Sequence, residues 1–254
     1  MTVRNKLSRT IAVFALSCMM AGAHASVVIG GTRVIYRASD REVTIKLANE
    51  GNAPALVQAW LDTGNPNALP DESKVPFTLL PPLFRLDPKK GQSLRLIYTQ
   101  ETLPQDKESL FWLNVLEVPP RAGAAANGDS PNFLQLAFRT RIKLFFRPTG
   151  LPGKADDAAA LVRWRFKRLE NGRYVLEGNN PTPYHVTFSK LTAADGMASW
   201  SNDIGAMLAP GASADFDLGN AAPRAAVPAQ VDYTYINDYG AGVSGKALRK
   251  GTNE

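Results

Sequence analysis

One segment constrains the fold more than any other part of the chain: FLQLAFRTRIKLFFRP, at residues 133–148. Its alternate positions are almost all apolar, namely Leu134, Leu136, Phe138, Thr140, Ile142, Leu144 and Phe146. The opposite face carries polar and basic residues, namely Gln135, Arg139, Arg141, Lys143 and Arg147. A period of two with one apolar face is typical of a β-strand. Fourteen residues at about 3.3 Å each would span about 46 Å, far beyond the usual five or six residues. A small sandwich cannot cover such a strand along its whole length, and the pattern alone leaves open whether Leu134, Leu136 and Phe138 contact a partner or the protein's own core.

Short apolar runs separated by turns make up the chain ahead of this segment. The 18 prolines and 20 glycines are spread along the sequence, which favours a turn-rich β protein. The pattern predicts strands at residues 27–35, 43–47, 56–61, 77–80, 93–98 and 109–118. With the long strand, this spacing indicates an immunoglobulin-like β-sandwich.

The same pattern starts again after residues 148–153, whose sequence PTGLPG is typical of a linker. Further strands are predicted at residues 162–169, 173–177, 184–190, 214–218 and 231–237. They indicate a second, smaller β-sandwich. We therefore predict an all-β protein with an N-terminal domain at 26–148 and a C-terminal domain at 151–246. The polar tail after about Gly242 is expected to fray.

The first 25 residues carry the pattern of a secretory signal peptide. A positive start is followed by a short apolar run at 11–23, and Ala23-His24-Ala25 fits the cleavage site of such peptides. The run is too short to span a membrane. We expect cleavage and an exported mature chain that begins near Ser26. Removal of Arg4, Lys6 and Arg9 takes the formal net charge from +6 to +3, and this mild basicity gives no case for nucleic acid.

The residue inventory argues against enzymes and metal proteins. Cys18 is the only cysteine and lies in the signal segment, so the mature chain has no thiol and no disulfide. (Lipid attachment at Cys18 is an alternative that the preceding Ala-Leu-Ser fits poorly.) His185 is the one remaining histidine, too few for a histidine zinc site, and we interpret it as a strand residue with a satisfied ring. No G-x-S-x-G elbow or Gly-rich phosphate loop is present. Asp156-Asp157 is interpreted as a pair of solvated charges. We expect no catalytic residue, metal, cofactor or small-molecule substrate.

Several motifs follow one another along the chain: GGTRVIY at 30–36, LLPPLFRLDP at 79–88, LPQDKESLFWLNVLEVPPR at 103–121, RIKLFFRP at 141–148 and INDYGA at 236–241. In this order they resemble the periplasmic pilus chaperones of the chaperone–usher pathway. The likeness covers nearly all of the mature chain, and it is weaker in the second domain outside INDYGA.

The resemblance implies a fold and a function. It implies two immunoglobulin-like domains in an L-shaped arrangement and a non-enzymatic chaperone in the periplasm. Such a chaperone binds pilin subunits that lack their last strand, lends them a strand of its own, and delivers them to an outer-membrane usher for pilus assembly. This donor-strand complementation is a form of β-augmentation. On this basis we call Leu134, Leu136 and Phe138 the plug residues, since they would fill the groove of the subunit.

Two further sets of residues match the family by position. Arg33 and Lys143, the anchor pair, would hold the C-terminal carboxylate of the subunit in the cleft between the domains. Glu108, Arg147 and Asp238, the inter-domain cluster, would hold the angle between the domains. The moderate loop at 121–132 and the absence of cysteine from the mature chain suggest the short-loop branch of the family.

Two other functions remain as alternatives from the sequence. A two-domain adhesin or fimbrial component would keep its edge strand for self-assembly and end on the cell surface. A secreted hydrolase on a sandwich scaffold would need a nucleophile motif that is missing. The sequence leaves open which pilin is bound and whether the free chaperone self-associates.

Overall fold

The computed structural model describes residues 26–70, 74–120, 135–224 and 226–248. Within them the chain forms 17 β-strands and one short α-helix. The prediction of an all-β protein is therefore confirmed. The predicted signal peptide at 1–25 and the plug residue Leu134 lie outside the described residues. No helix within the described ranges is long and apolar enough to cross a membrane.

Nine strands form the first domain, which is a sandwich of two sheets. They are β1 Val27–Ile29, β2 Arg33–Arg37, β3 Val43–Asn49, β4 Ala55–Asp62, β5 Phe77–Leu80, β6 Leu83–Leu86, β7 Gly91–Tyr98, β8 Ser109–Val118 and β9 Phe138–Arg147. One sheet has the order β1-β3-β7-β5 and the other the order β2-β9-β8-β4-β6. The first predicted strand, at 27–35, is in fact two, because the chain turns at Gly30-Gly31 and changes sheet.

Alternate side chains of both sheets meet in one core. Leu94, Leu96, Leu113 and Leu144 have no exposed surface, and Phe146 is almost fully buried. Aromatic rings cluster around Phe146: Tyr98 lies 4.6 Å away between ring centroids and Phe77 lies 6.1 Å away. The period-two pattern of the sequence is thus explained by burial of one face of each strand.

The long strand is shorter than its sequence pattern predicts. β9 has ten residues, and residues 135–137 precede it without strand structure. Its partner β8 ends at Val118, and Pro119 and Pro120 follow, which cannot donate to a ladder of hydrogen bonds. Gln135 donates from its side chain to the carbonyl oxygen of Pro119 instead, at 2.8 Å.

Eight strands form the second domain, also as a sandwich. They are β10 Arg163–Arg168, β11 Tyr174–Asn179, β12 Val186–Ala194, β13 Ser199–Asn202, β14 Ala206–Leu208, β15 Ser213–Asp217, β16 Gln230–Ile236 and β17 Gly242–Leu248. One sheet has the order β10-β11-β15, and the other has the order β13-β12-β16-β17 with β14 also on β12. Trp164, Phe188 and Phe216 pack edge to face or tilted in the core.

One expectation for the second domain was wrong: the tail after Gly242 does not fray at once, because β17 pairs with β16 along seven residues, from Gly242 to Leu248. Asp156 and Asp157 are exposed, as expected of solvated charges. They lie in the first turn of a helix that the sequence pattern did not predict, α1, Ala155–Leu161, where carboxylates interact favourably with the positive helix end. Periodicity could not reveal α1, because seven residues are too few to show a repeat of 3.6.

Candidate functional site

The anchor pair lies where the two domains meet. Strand β2 begins at Arg33 and runs parallel to β9, with Arg33 directly beside Lys143. Both side chains reach the second domain. Arg33 Nη1 donates to the carbonyl oxygen of Ile236 at 2.9 Å, and Lys143 Nζ donates to Thr187 Oγ1 at 3.3 Å. Strand pairing in the first domain therefore puts two cations side by side in the cleft between the domains.

Neither cation has a counter-ion within ion-pair distance among the described residues. Arg33 Nε is buried without a hydrogen-bond partner in that part of the chain. Burial lowers the pKa of Arg33, although Asp238 and Glu108 partly offset the effect. Burial, and then the neighbouring charge of Arg33, lower the pKa of Lys143 from 10.5 to about 8. Two half-buried cations without a carboxylate partner in the described part of the chain have the chemistry to hold an anion, since a bound anion would favour both charged forms.

Half of β9 has a strand partner on one side only. On that side β8 pairs with the strand from Phe138 to Phe146. On the other side β2 pairs only with the residues from Lys143 to Arg147. No described strand pairs with residues 138–142 there, so this half of β9, which we call the free half, offers an open backbone edge.

The apolar face of β9 changes its surroundings along the strand. Leu144 and Phe146 are buried in the core of the first domain. Leu136, just before the strand, is 51% exposed, and Phe138 is 37% exposed. The alternation of the sequence is continuous, but only its second half serves the protein's own core. The first half leaves large apolar side chains beside an open edge. The anchor pair lies at the C-terminal end of that edge, at Lys143.

In the inter-domain cluster, Arg147 lies within hydrogen-bond distance of both acids. Arg147 Nε donates to Glu108 Oε1 at 2.7 Å. Its two other nitrogens donate to the carboxylate of Asp238 at 2.7 and 2.8 Å. Glu108 and Arg147 belong to the first domain and Asp238 to the second. Burial would lower the pKa of Arg147, but the hydrogen bonds that it donates to both carboxylates, together with their charges, raise it.

The turn that carries Asp238 accounts for the INDYGA motif. Asn237 Oδ1 accepts hydrogen bonds from the backbone of Tyr239 and Ala241, which closes the turn. Gly240 has φ +82, and a Cβ there would lie 2.3 Å from Thr32 Oγ1 of the first domain. A side chain is thus disfavoured both by the backbone conformation and by the neighbouring domain.

Sequence reasoning missed two contributors to this region. Glu108 Oε2 also accepts the backbone N–H of His185 at 2.7 Å and lies 3.2 Å from its Nδ1. His185 packs against Phe145 and lies just before β12, so it is a buried inter-domain contact and not the strand residue expected from the sequence. Thr187, the partner of Lys143, is the second. Neither carries a sequence signal, because both act only across the domain boundary.

An apolar groove of about 1280 Å³ lies in the second domain, between α1, β10 and β17. It is lined by apolar side chains such as Leu161, Val162 and Leu248. Neither member of the anchor pair lines it. Charge and an open edge coincide instead in the cleft and on β9.

Comparisons with known proteins agree with this architecture. Residues 26–152 match the family "Pili and flagellar-assembly chaperone, PapD N-terminal domain", and residues 157–247 match "Pili assembly chaperone PapD, C-terminal domain". The chaperone protein FimB/FhaD of Bordetella pertussis is 48% identical over 229 residues, which cover 89% of this chain and 88% of that protein. The probable fimbrial chaperone YadV of Escherichia coli is 43% identical over 241 residues, which cover 94% of this chain and 96% of YadV.

Solved structures lead to the same family. The crystal structure of the YadV chaperone matches with a TM-score of 0.72 and 41% identity, covering 88% of this chain and 100% of that one. A complex of the Salmonella enterica SafA pilin with the SafB chaperone matches with a TM-score of 0.68 and 27% identity, covering 90% and 98%. With both domain families matched in order over nearly all of the described residues, the chain belongs to the PapD family of pilus-assembly chaperones.

Proposed function

We propose that this protein is a non-enzymatic periplasmic chaperone that binds pilin subunits by donor-strand complementation and delivers them to an outer-membrane usher. The single observation that carries the proposal is the cation pair without a counter-ion at the end of an open, apolar strand edge. The complex of SafB with the SafA pilin supports it, because that relative holds a pilin. The signal-peptide pattern at residues 1–25 supports export.

The free half of β9 would supply the lent strand. A subunit strand beside residues 138–142 would pair with the backbone that β2 leaves open, and the plug residues would enter the subunit's groove. Each large apolar side chain would contribute about 1.5–3 kcal/mol on burial. Each backbone hydrogen bond would add about 1 kcal/mol net. Association costs about 4–15 kcal/mol, so these contacts leave little surplus and a further anchor is useful.

Arg33 and Lys143 would provide that anchor by holding the subunit's C-terminal carboxylate. A guanidinium can bind a carboxylate through two parallel hydrogen bonds, whereas the lysine acts as a point charge. Because a terminal carboxylate exists only at the end of a chain, it would also fix the register of the subunit strand on β9. A slip by one residue would turn the plug residues outward.

Substitution of either anchor residue should weaken the complex strongly. We expect Arg33→Ala or Lys143→Ala to cost about 2–5 kcal/mol of binding free energy, the range for removing one member of a buried charge pair. Titration of the purified variants with a purified subunit, followed by calorimetry, measures this loss. A loss below about 0.5 kcal/mol in both variants would contradict the anchor assignment.

Co-purification from a periplasmic extract tests the function itself. Tagged wild-type protein is compared with the Arg33→Glu/Lys143→Glu double variant, and the captured proteins are identified by mass spectrometry. Lys46→Glu/Lys90→Glu is the matched control, because it makes the same charge change at exposed positions of the first domain. We expect a stoichiometric β-rich subunit with the wild type and the control, but not with the anchor variant.

The other outcomes separate the parts of the proposal. If the subunit also binds the anchor variant, the chaperone function is supported but the assignment of Arg33 and Lys143 as its anchor is wrong. If the wild type captures nothing while a pilin is present in the extract, the chaperone function falls. Recovery of the protein on the cell surface would then favour an adhesin.

A further inference from the structure

We propose that Asp62 is a positioning residue for the free half of β9. Its buried carboxylate holds Arg141 directly and Arg139 through Asn114, and thereby fixes which face of the strand carries the plug residues. The expected effect of Asp62 on subunit binding rests on the proposed function. Its effect on the position of β9 can be measured in the free protein alone.

Asp62 ends β4 and its side chain is only 1% exposed. Its two oxygens accept a fork of hydrogen bonds from Arg141: Oδ1 from Nη2 at 2.5 Å and Oδ2 from Nε at 3.1 Å. Asn114 Nδ2 donates to Oδ2 at 2.8 Å, and the backbone of Gly64 donates to Oδ1 at 2.6 Å. Burial alone would raise the pKa of Asp62, but these hydrogen bonds hold it below its usual value. The carboxylate is therefore charged and fully satisfied.

Asn114 links the carboxylate of Asp62 to Arg139 through hydrogen bonds. Its Oδ1 accepts hydrogen bonds from Arg139 Nε at 3.0 Å and from Nη2 at 2.7 Å. Arg139 Nη1 also donates to the carbonyl oxygen of Pro66 at 2.6 Å. The amide of Asn114 thus joins one arginine to the acid that holds the other.

Two tryptophan rings complete the surroundings of the arginines. The guanidinium of Arg139 lies 4.7 Å from the ring centroid of Trp60, and that of Arg141 lies 4.1 Å from that of Trp112. Flat guanidinium groups stack on such faces, which restricts their side-chain rotamers. Both arginines of the free half are therefore fixed on the outer face of the sheet.

Their position matters because β2 does not reach them. From Lys143 onward, β9 is held between two strands and by its own core residues, whereas at residues 138–142 β8 is its only partner among the described strands. Backbone hydrogen bonds to β8 would be equally available after a slip by one residue. Such a slip would carry the arginines to the plug face and leave the Asp62 charge buried and unpaired, which is strongly unfavourable.

The test is a double-mutant cycle between residues on opposite faces of the sheet. Asp62→Asn keeps the shape of the side chain and removes the charge, and Phe138→Ala removes a plug residue. The two sites make no contact in the structure that would couple them directly, so a purely local role of Asp62 predicts additive effects on subunit affinity. The subunit used is the one that co-purifies with the wild type.

If Asp62 positions the strand, Phe138→Ala should weaken binding about tenfold or more in the wild type. In the Asp62→Asn background the same substitution should lower subunit affinity by less than about threefold, because the face of β9 that carries the plug residues is no longer fixed. Amide hydrogen exchange of the free protein should also become faster at residues 138–142. Asp217→Asn is the control, since it removes the carboxylate partner of another arginine, Arg173, at an exposed position of the second domain.

Each outcome decides the question. Additive effects on affinity would overturn the positioning role, even if exchange at 138–142 changed. Unchanged exchange in Asp62→Asn would overturn it independently of any subunit. If the wild type bound no subunit, the proposed function would be wrong. Hydrogen exchange in the free protein would still test whether Asp62 holds residues 138–142 in place. Should Asp62→Asn not fold, the Asp62→Asn/Arg141→Met double variant removes the fork without leaving either charge unpaired and keeps an apolar stem over Trp112, and the same cycle applies.

Discussion

At the scale of single residues, the anchor pair shows how neighbours decide the chemistry of a side chain. Lys143 would be an ordinary surface cation if β2 did not place Arg33 beside it and the second domain did not cover it. Burial and the neighbouring positive charge of Arg33 both disfavour the protonated form of Lys143, and its pKa falls to about 8. The residue is therefore about half protonated in the free protein near this pH and would become fully charged once a carboxylate bound to it.

This pKa gives binding a pH dependence with a definite sign. A bound carboxylate raises the pKa of Lys143, so the complex takes up a proton wherever the free protein lacks one. Affinity should therefore be constant below pH 8 and fall as the pH rises through about 8, by at most about tenfold per pH unit. Measurement of the subunit dissociation constant from pH 6.5 to 9.5 checks this.

The control for this prediction is Lys143→Arg, which stays charged over the whole range and should give a flat profile. A flat profile in the wild type would contradict the role of Lys143. Stability of the free protein should have the opposite trend. Because the folded pKa lies below the unfolded value of 10.5, the unfolded state binds more protons between pH 8 and 10.5, and this group's contribution to stability rises with pH there.

At the scale of elements, β9 combines a core strand and an open edge in one continuous pattern. Long apolar edges promote aggregation, and proteins usually shorten, charge or cover them. Here the outer face carries arginines, while the inner face of the free half keeps its apolar side chains half-exposed. The edge is thus available to a partner strand of the right shape.

The two halves of β9 should respond differently to substitution. Phe138→Ser lies at a half-exposed position, so we expect the free energy of unfolding to change by about 0.5 kcal/mol or less while subunit binding is largely lost. Phe146→Ala empties a buried site and should cost about 3–5 kcal/mol of stability. Urea unfolding and subunit titration of both variants check this. Strong destabilisation by Phe138→Ser would mean that this residue belongs to the core.

At the scale of the whole molecule, the inter-domain cluster joins the two sandwiches through charges. Arg147 holds one carboxylate from each domain, and Glu108 also binds the backbone of His185 across the boundary. Such a buried network contributes little net stability, because desolvation offsets the attraction, but removing one member is costly. Its geometric effect is to couple the end of β9 to the turn that carries Asp238.

Arg147→Ala should therefore loosen the relative orientation of the domains and lower stability by about 3–5 kcal/mol, because two carboxylates would be left without their cation. Small-angle scattering should show a broader distribution of distances, and thermal unfolding should shift to lower temperature. Arg173→Ala is the control, since it removes an exposed pair with Asp217 inside one domain. Unchanged scattering and melting in Arg147→Ala would contradict a role in orientation.

The local sequence pattern was sufficient to predict the fold class of this protein and the direction of many side chains. The alternation in and around residues 133–148 determined that the fold is all-β, that Phe138 and Phe146 share a face, and that Lys143 lies on the other. The reason is physical: a strand has a period of two whatever its neighbours are. The motifs in their order indicated the family, and with it the pairing of Arg33 with Lys143 and of Arg147 with two acids.

Only the tertiary structure decided which neighbours those faces meet. The sequence pattern of β9 is uniform, yet β2 pairs with it only from Lys143 onward, and this determines which part of its backbone edge is open. The length of β9, the pairing of β17, the contact of His185 with Glu108 and the burial of Asp62 between two arginines were likewise not readable from the chain. Each depends on contacts between residues distant in sequence, and periodicity records only the direction of a side chain and not its partner.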